Sequence, residues 1–305
     1  KSSYSISLGN THQDGIISST GMDRYNVKVS ADTKLTNNWS SGFTANYITT
    51  SIDKAVTSGN GLLRTVYAAP PSYDLAGIPS HVDGNPYTQN SFRGSFDNAY
   101  WAMENNKFTE DTNRFFGNVY TSYQTDFGTT NHKLNAKYMV GVDAYTTHYV
   151  DSYGYGSNTG GGRGQIENYG WTNATYNSLL TINYDWHINE DWGLNAVVGN
   201  EIIQSNRKKY YEYGTNYNFP GWNHINNATT QQTEEETWKN RTVGFFGNVS
   251  ASYRNMLYLT LTGRQDYVSN MPRKNRSFFY PSISAGFILT ELDALKNNVV
   301  YHAKL

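Results

Sequence analysis

Along most of the chain, apolar and polar residues alternate with a period of two, and the alternating stretches are joined by short and long connections in turn. Leu257, Leu259 and Leu261 fall on one face of a strand, and Tyr258, Thr260 and Thr262 on the other. An antiparallel sheet with its short turns at one end and its long loops at the other is the pattern of a transmembrane β-barrel of outer-membrane type. A soluble sandwich or propeller has no reason to keep that parity.

The pattern predicts about ten strands. The first covers Ser3 to Gly9, the second runs from Tyr25 to Asp32, and the third starts at Trp39 with Phe43, Ala45 and Tyr47 in phase. A long excursion from about Ser51 to Thr112, rich in Pro, Gly, Asn and Tyr, follows. Strands four and five carry Phe115 to Tyr123 and Leu134 to Asp143; six and seven carry Tyr176 to Trp186 and Leu194 to Val198. The stretch from about Ser205 to Asn240 reads as another long loop. Strands eight, nine and ten hold Val243 to Tyr253, the Leu257 run, and Ile283 to Leu289. A short helical connection is expected from Thr290 to Asn298, with an eleventh strand starting at Val299.

Composition agrees with this reading. The 305 residues include 26 Tyr, 13 Phe and 7 Trp, which favour strands and, for Tyr and Trp, membrane interfaces. Mean hydropathy is -0.66, and no stretch approaches the roughly 18 uninterrupted apolar residues of a spanning helix. A barrel passes unseen by that test because only every second strand residue meets lipid. The absence of Cys excludes a disulfide framework and thiolate metal sites, and a net charge of -1 gives nucleic acid no support as a partner.

Several stretches resemble the SusC/RagA-type TonB-dependent outer-membrane transporters of Bacteroidetes. They are Thr20 to Asn26 (TGMDRYN), Leu35 to Trp39 (LTNNW), Asn98 to Trp101 (NAYW), Asn113 to Val119 (NRFFGNV), the run from Asn275 to Ser282 through Thr290-Glu291-Leu292 and, most strongly, Tyr258 to Asp266 (YLTLTGRQD). The resemblance implies a bacterial outer-membrane protein whose 22-stranded barrel encloses a plug, an arrangement barrel geometry allows. It also implies uptake of glycans or peptides, a SusD-like surface lipoprotein as lid, and the TonB complex as partner through the plug. No segment resembles the plug, the TonB box or the closing strands, so residues 1 to 305 are expected to be one incomplete barrel domain, a middle portion of the barrel forming a partial arc of about 10 to 11 strands.

If the apolar face meets lipid, Lys28, Lys137, Asp143, Arg264 and Asp266 project into the lumen, either to touch substrate or plug or simply to pair in a wet interior. The loop aromatics Tyr100, Trp101, Tyr169, Trp171, Tyr217 and Trp222 are the candidates for stacking on sugars or peptide side chains; the alternative is a girdle or internal loop packing. Trp39, Trp186 and Trp192 sit beside short turns and read as interfacial anchors. No catalytic set, cofactor or metal site is indicated. The seven His residues show no ligand spacing, Glu234-Glu235-Glu236 reads as a solvated loop, and Gly160 to Gly164 lacks the Lys-Ser/Thr ending of a P-loop.

The leading expectation is a portion of an importer rather than an enzyme. A secreted all-β carbohydrate-binding module is the alternative, and it requires the apolar faces to pack against each other in two layers. A β-rich hydrolase would need paired carboxylates about 5 to 9.5 Å apart in a cleft.

Overall fold

The computed structural model describes residues 1–56 and 61–292. Ten strands form one sheet: β1 (Ser2–Asp14), β2 (Gly21–Lys34), β3 (Trp39–Lys54), β6 (Lys107–Thr125), β7 (His132–Tyr153), β8 (Gln165–His187), β9 (Trp192–Tyr217), β10 (Ala228–Tyr253), β11 (Leu257–Val268) and β12 (Ser277–Phe287). Each pairs antiparallel with the next, and among the described residues β1 and β12 are open margins. The excursion between β3 and β6 folds into α1 (Leu62–Ala68), the hairpin β4 (His81–Val82) and β5 (Asn85–Gln89), and α2 (Ala99–Asn105). Asp83 and Gly84 turn that hairpin with φ of 51° and 72°, the left-handed geometry a two-residue hairpin loop requires. Leu289–Glu291 form a 3-10 turn; the expected eleventh strand lies outside the described residues.

Register explains why the apolar residues share one face. Tyr4, Ala31, Phe43, Val119, Val140, Ser178, Ile202, Val243, Tyr267 and Ser277 form one continuous row across the sheet. Because side chains alternate, Leu134, Val249, Leu259 and Phe287 lie on that same face. Among the described residues nothing covers it: Leu261 is 50% exposed and Val249 45%. The fully buried apolar residues, such as Trp101, Ile166 and Tyr217, all lie in the loops and strand extensions. The sheet is a single layer, so the two-layer packing that a soluble module needs is absent among the described residues.

The short turns carry an aromatic rim. Trp39 packs on Tyr123 at 4.9 Å, Trp192 on Tyr253 at 4.8 Å, and Trp186 stacks with His132 at 5.7 Å. Rings with one wet edge settle at a membrane boundary.

Two expectations need correction. The stretch from Ser205 to Asn240 is strand for most of its length, because β9 and β10 pair without interruption from Ser205↔Asn240 to Thr215↔Thr230, leaving residues 218–227 as the connection. Both faces are polar there, so the apolar alternation that marks a half-buried strand disappears while the backbone ladder continues. The excursion is likewise shorter, residues 55–106, because β3 and β6 pair as far as Lys54↔Phe108. β10 also outruns β11: Thr242 meets Val268, Arg241 still bonds Ser269, and among the described residues Ala228–Asn240 pair with β9 on one side only.

Candidate functional site

The face opposite the apolar one carries the chemistry. Ser3, Asp32, Gly42, Tyr120, Met139, Leu179, Glu201, Gly244, Asp266 and Phe278 form a second row. By alternation Lys28, Lys137, Asp143 and Arg264 share its face. Arg264 donates from Nε to Asp266 at 2.8 Å and from a terminal nitrogen to Glu201 at 2.7 Å. Gly244 makes this possible, since a Cβ there would lie 2.6 Å from both the Arg264 and the Asp266 side chains. Arg114 grips Asp143 through two bonds of 2.8 and 2.5 Å. Lys137 lies 4.4 Å from the Tyr120 ring, whose hydroxyl donates to Asp32. Of the five residues singled out in the sequence, Lys28 alone has neither an ion pair nor a ring contact among the described residues.

The six aromatic candidates do not converge. Trp101 is 0% exposed: its indole N–H donates to the Pro86 carbonyl at 2.8 Å inside the folded excursion. Tyr217, the last residue of β9, is also fully buried, packed with Ile166 and Ala228, and burial pushes its phenol up to about 12. Neither presents a surface to a ligand. Tyr100 is exposed on α2. Trp222, at the β9–β10 tip, is 44% exposed and stacks between Phe219 at 5.8 Å and His224 at 4.9 Å.

Tyr169 and Trp171 lie on β8 rather than in a loop, within a wall that sequence reading missed. Four successive rows on the polar face, beyond the apolar band, read Arg114–Tyr145–Asn173–Arg207–Trp238, Thr112–Thr147–Trp171–Lys209–Glu236, Glu110–Tyr149–Tyr169–Tyr211–Glu234 and Phe108–Asp151–Glu167–Tyr213–Gln232. Tyr149 and Tyr169 stack at 4.7 Å with rings 5° apart, and Trp171 meets both edge-on. Arg207 lies over Trp171 at 5.3 Å and Trp238 at 5.5 Å. Lys54 sits 4.5 Å from the Tyr149 ring and 3.4 Å from Glu110. Single residues in step by two, such as Tyr149 and Asp151, or Tyr169 and Glu167, were visible in the sequence. Their assembly was not, because it depends on cross-strand register.

Asp151 and Glu167 stand directly opposite each other, an arrangement of like charges that costs stability. Their hydroxyl donors are Tyr169 to Asp151 at 3.1 Å and Tyr211 to Glu167. Burial first, and the nearby carboxylates second, hold the phenols of Tyr149, Tyr169 and Tyr211 above their usual range, so they stay protonated as donors. Burial raises the Glu167 carboxyl and Asp151 raises it further, against the Tyr211 hydrogen bond. A carboxyl raised in the folded state favours folding most when protonated, so its contribution falls as pH climbs from about 4.3 through the raised value. Glu167→Gln is expected to flatten this part of the stability–pH curve in urea unfolding. An unchanged slope would show that Glu167 does not titrate there.

No family model matches the chain. Its sequence is 25% identical over 330 residues to TonB-dependent receptor P26 of Formosa agariphila, covering 98% of this chain and 30% of that protein. It is 26% identical over 327 residues to TonB-dependent receptor SusC of Bacteroides thetaiotaomicron, covering 99% and 31%. The fold superposes on the RagAB peptide importer in its open-open state with a TM-score of 0.81 at 16% identity, covering 100% of this chain and 34% of that one. The chain thus spans under a third of the length of these curated relatives.

Proposed function

We propose, from the premise that this chain is an arc of the outer-membrane barrel of a SusC/RagA-type TonB-dependent receptor, that it is the substrate-capturing wall of an importer for glycans or peptides. The observation that carries the proposal is the aromatic wall of Tyr149, Tyr169, Trp171 and Tyr211, flanked by Asp151 and Glu167, on the face turned from lipid and above the membrane edge. Flat rings stack on sugar faces or peptide side chains, while the carboxylates accept hydrogen bonds from hydroxyls and amides. Backbone groups within the band are satisfied by strand pairing, as the hydrocarbon demands.

In this reading the whole receptor is larger than these residues. Its other strands close the barrel around a plug that the TonB complex pulls open, and a SusD-like lipoprotein closes over the loops. Arg264, Glu201, Asp266, Arg114 and Asp143 maintain a charged interior by pairing. Lys28 is the cation left to meet the plug or the passing substrate.

Tyr169→Ala and Trp171→Ala in the complete receptor are each expected to weaken binding of neutral oligosaccharides or short peptides about tenfold, near 1.4 kcal/mol. Tyr210→Ala, on the opposite face of the same strands, leaves it unchanged. Calorimetric titration of a ligand panel measures both. Wild-type affinity in the two wall variants, or uptake that persists without the energy-coupling system, contradicts the proposal.

A further inference from the structure

The β11–β12 connection, residues 269–276, lies at the long-loop end of the sheet but on short strands. Val268 pairs with Thr242, so this loop leaves the sheet where the outward apolar run of β10 ends at Val243. From Tyr253 to Val243 the strand advances about 33 Å, which at a tilt near 40° gives about 25 Å of height, the thickness of an apolar band. Val243 and its partner Tyr267 therefore mark the outer margin of the hydrocarbon. Arg241, the next outward-facing position of β10, stands at headgroup level.

A groove lies there on the lipid side, lined by Arg241, Val243, Tyr267, Val268, Ser269 and Arg276. The same loop carries Arg273 and Lys274, and Lys239 follows Arg241 on the outward face. Arg241 donates to the Gln204 side-chain oxygen at 2.9 Å. Among the described residues, none of these five cations has a carboxylate within 4 Å, whereas Arg114, Arg254, Arg264 and Lys208 each have one. The outward-facing positions of β9 from Leu194 to Lys208, of β10 from Thr237 to Tyr253, and of all β11 and β12 include no Asp or Glu. The positive charge here is unbalanced, and it borders an exposed apolar surface formed by Phe245 and Phe279.

The geometry points to a binding site for a phosphorylated lipid of the outer leaflet. Guanidinium forks of Arg241 and Arg276 match phosphate oxygens, with Arg273 and Lys274 adding charge, and acyl chains lie along Val243, Phe245 and Phe279. Cations at the rim of a hydrocarbon band hold anionic headgroups in this manner. A free phosphate ion would use only the charged half of the site, and an acidic protein segment would leave the apolar half uncovered.

The test is native mass spectrometry of the complete receptor in detergent, with diphosphorylated lipid A, its dephosphorylated form, and inorganic phosphate as probes. Diphosphorylated lipid A is expected to be retained, and the triple variant R241Q/R273Q/R276Q to lower its occupancy at least about tenfold, since each interfacial cation adds to the hold on an anionic headgroup. The variant R241K/R273K/R276K keeps most of the occupancy, and Lys34→Gln at the short-turn rim has no effect. Heat-modifiable migration on gels confirms that each variant is folded. Equal retention by the Gln variant, equal binding of the dephosphorylated lipid, displacement by inorganic phosphate, or loss in the Lys variant as complete as in the Gln variant would each overturn the assignment.

Discussion

Leu261→Arg is expected to lower the stability of the receptor barrel by about 2 to 4 kcal/mol, the cost of an arginine on the lipid face near the bilayer midplane. Leu261 lies midway along the band on β11, opposite Val249 and Ile283, and its side chain meets no other protein layer. The penalty comes from removing a guanidinium from water with no partner in reach. One position along, Thr260 lies on the polar face, where Ser250 faces it at hydrogen-bond distance, 2.8 Å. Thr260→Arg meets water there and is expected to cost much less. Urea titration of folding into liposomes compares the pair. Similar losses at both positions would mean that the two faces do not see different solvents, and the membrane assignment of the sheet would fall.

The second large effect is at Trp101. Trp101→Ala is expected to remove about 3 to 5 kcal/mol of local stability, the range for deleting a large buried aromatic. The loss should be confined to the excursion, because Trp101 is tied to elements outside the band. Asn98 caps α2 by accepting from the backbone N–H groups of Tyr100 and Trp101 at 3.0 and 3.2 Å, and its own N–H donates to Gln89. Gln89 donates in turn to Asp97 and to the Gly156 carbonyl, and Asp97 accepts from Ser157 and the Asn158 N–H. The excursion is thereby bound to the β7–β8 loop through one polar network around one ring. Hydrogen exchange should accelerate in residues 61–106 and 154–164 and stay slow in β7 and β8 within the band. Weakened ligand binding with unchanged exchange would instead make Trp101 a contact residue.

The contrast between Trp101 and Tyr169 shows what the sequence could reveal. The transmembrane half of each strand was legible because lipid and water impose opposite demands on alternate side chains, as in Leu257 to Thr262. The direction of Arg264 and Asp266 followed from the same alternation. Above the membrane both faces are wet, so Lys208 to Tyr217 and Ala228 to Asn240 carried no contrast and read as loop. The fate of each aromatic was hidden for a different reason. Trp101 and Trp222 both sit in stretches that read as loop, and only tertiary packing decides that one is enclosed and the other exposed. Tyr149 needed a partner 20 residues away, at Tyr169, before it became part of a wall.

Among the described residues, the unequal lengths of β10 and β11 leave Ala228–Asn240 with a neighbouring strand on one side only. Such a margin is a template on which a strand of a neighbouring molecule can add, and crowding in a membrane plane multiplies the encounters. Here the margin carries Glu234, Glu235, Glu236 and Lys239. Lys208 and Lys209 of β9 already hold Glu235 and Glu236 at 2.9 and 3.7 Å, so in two copies meeting antiparallel about Glu235 it is Glu234 of each, without an ion pair among the described residues, that works against self-association, while the hairpin stays free to rise above the cell surface.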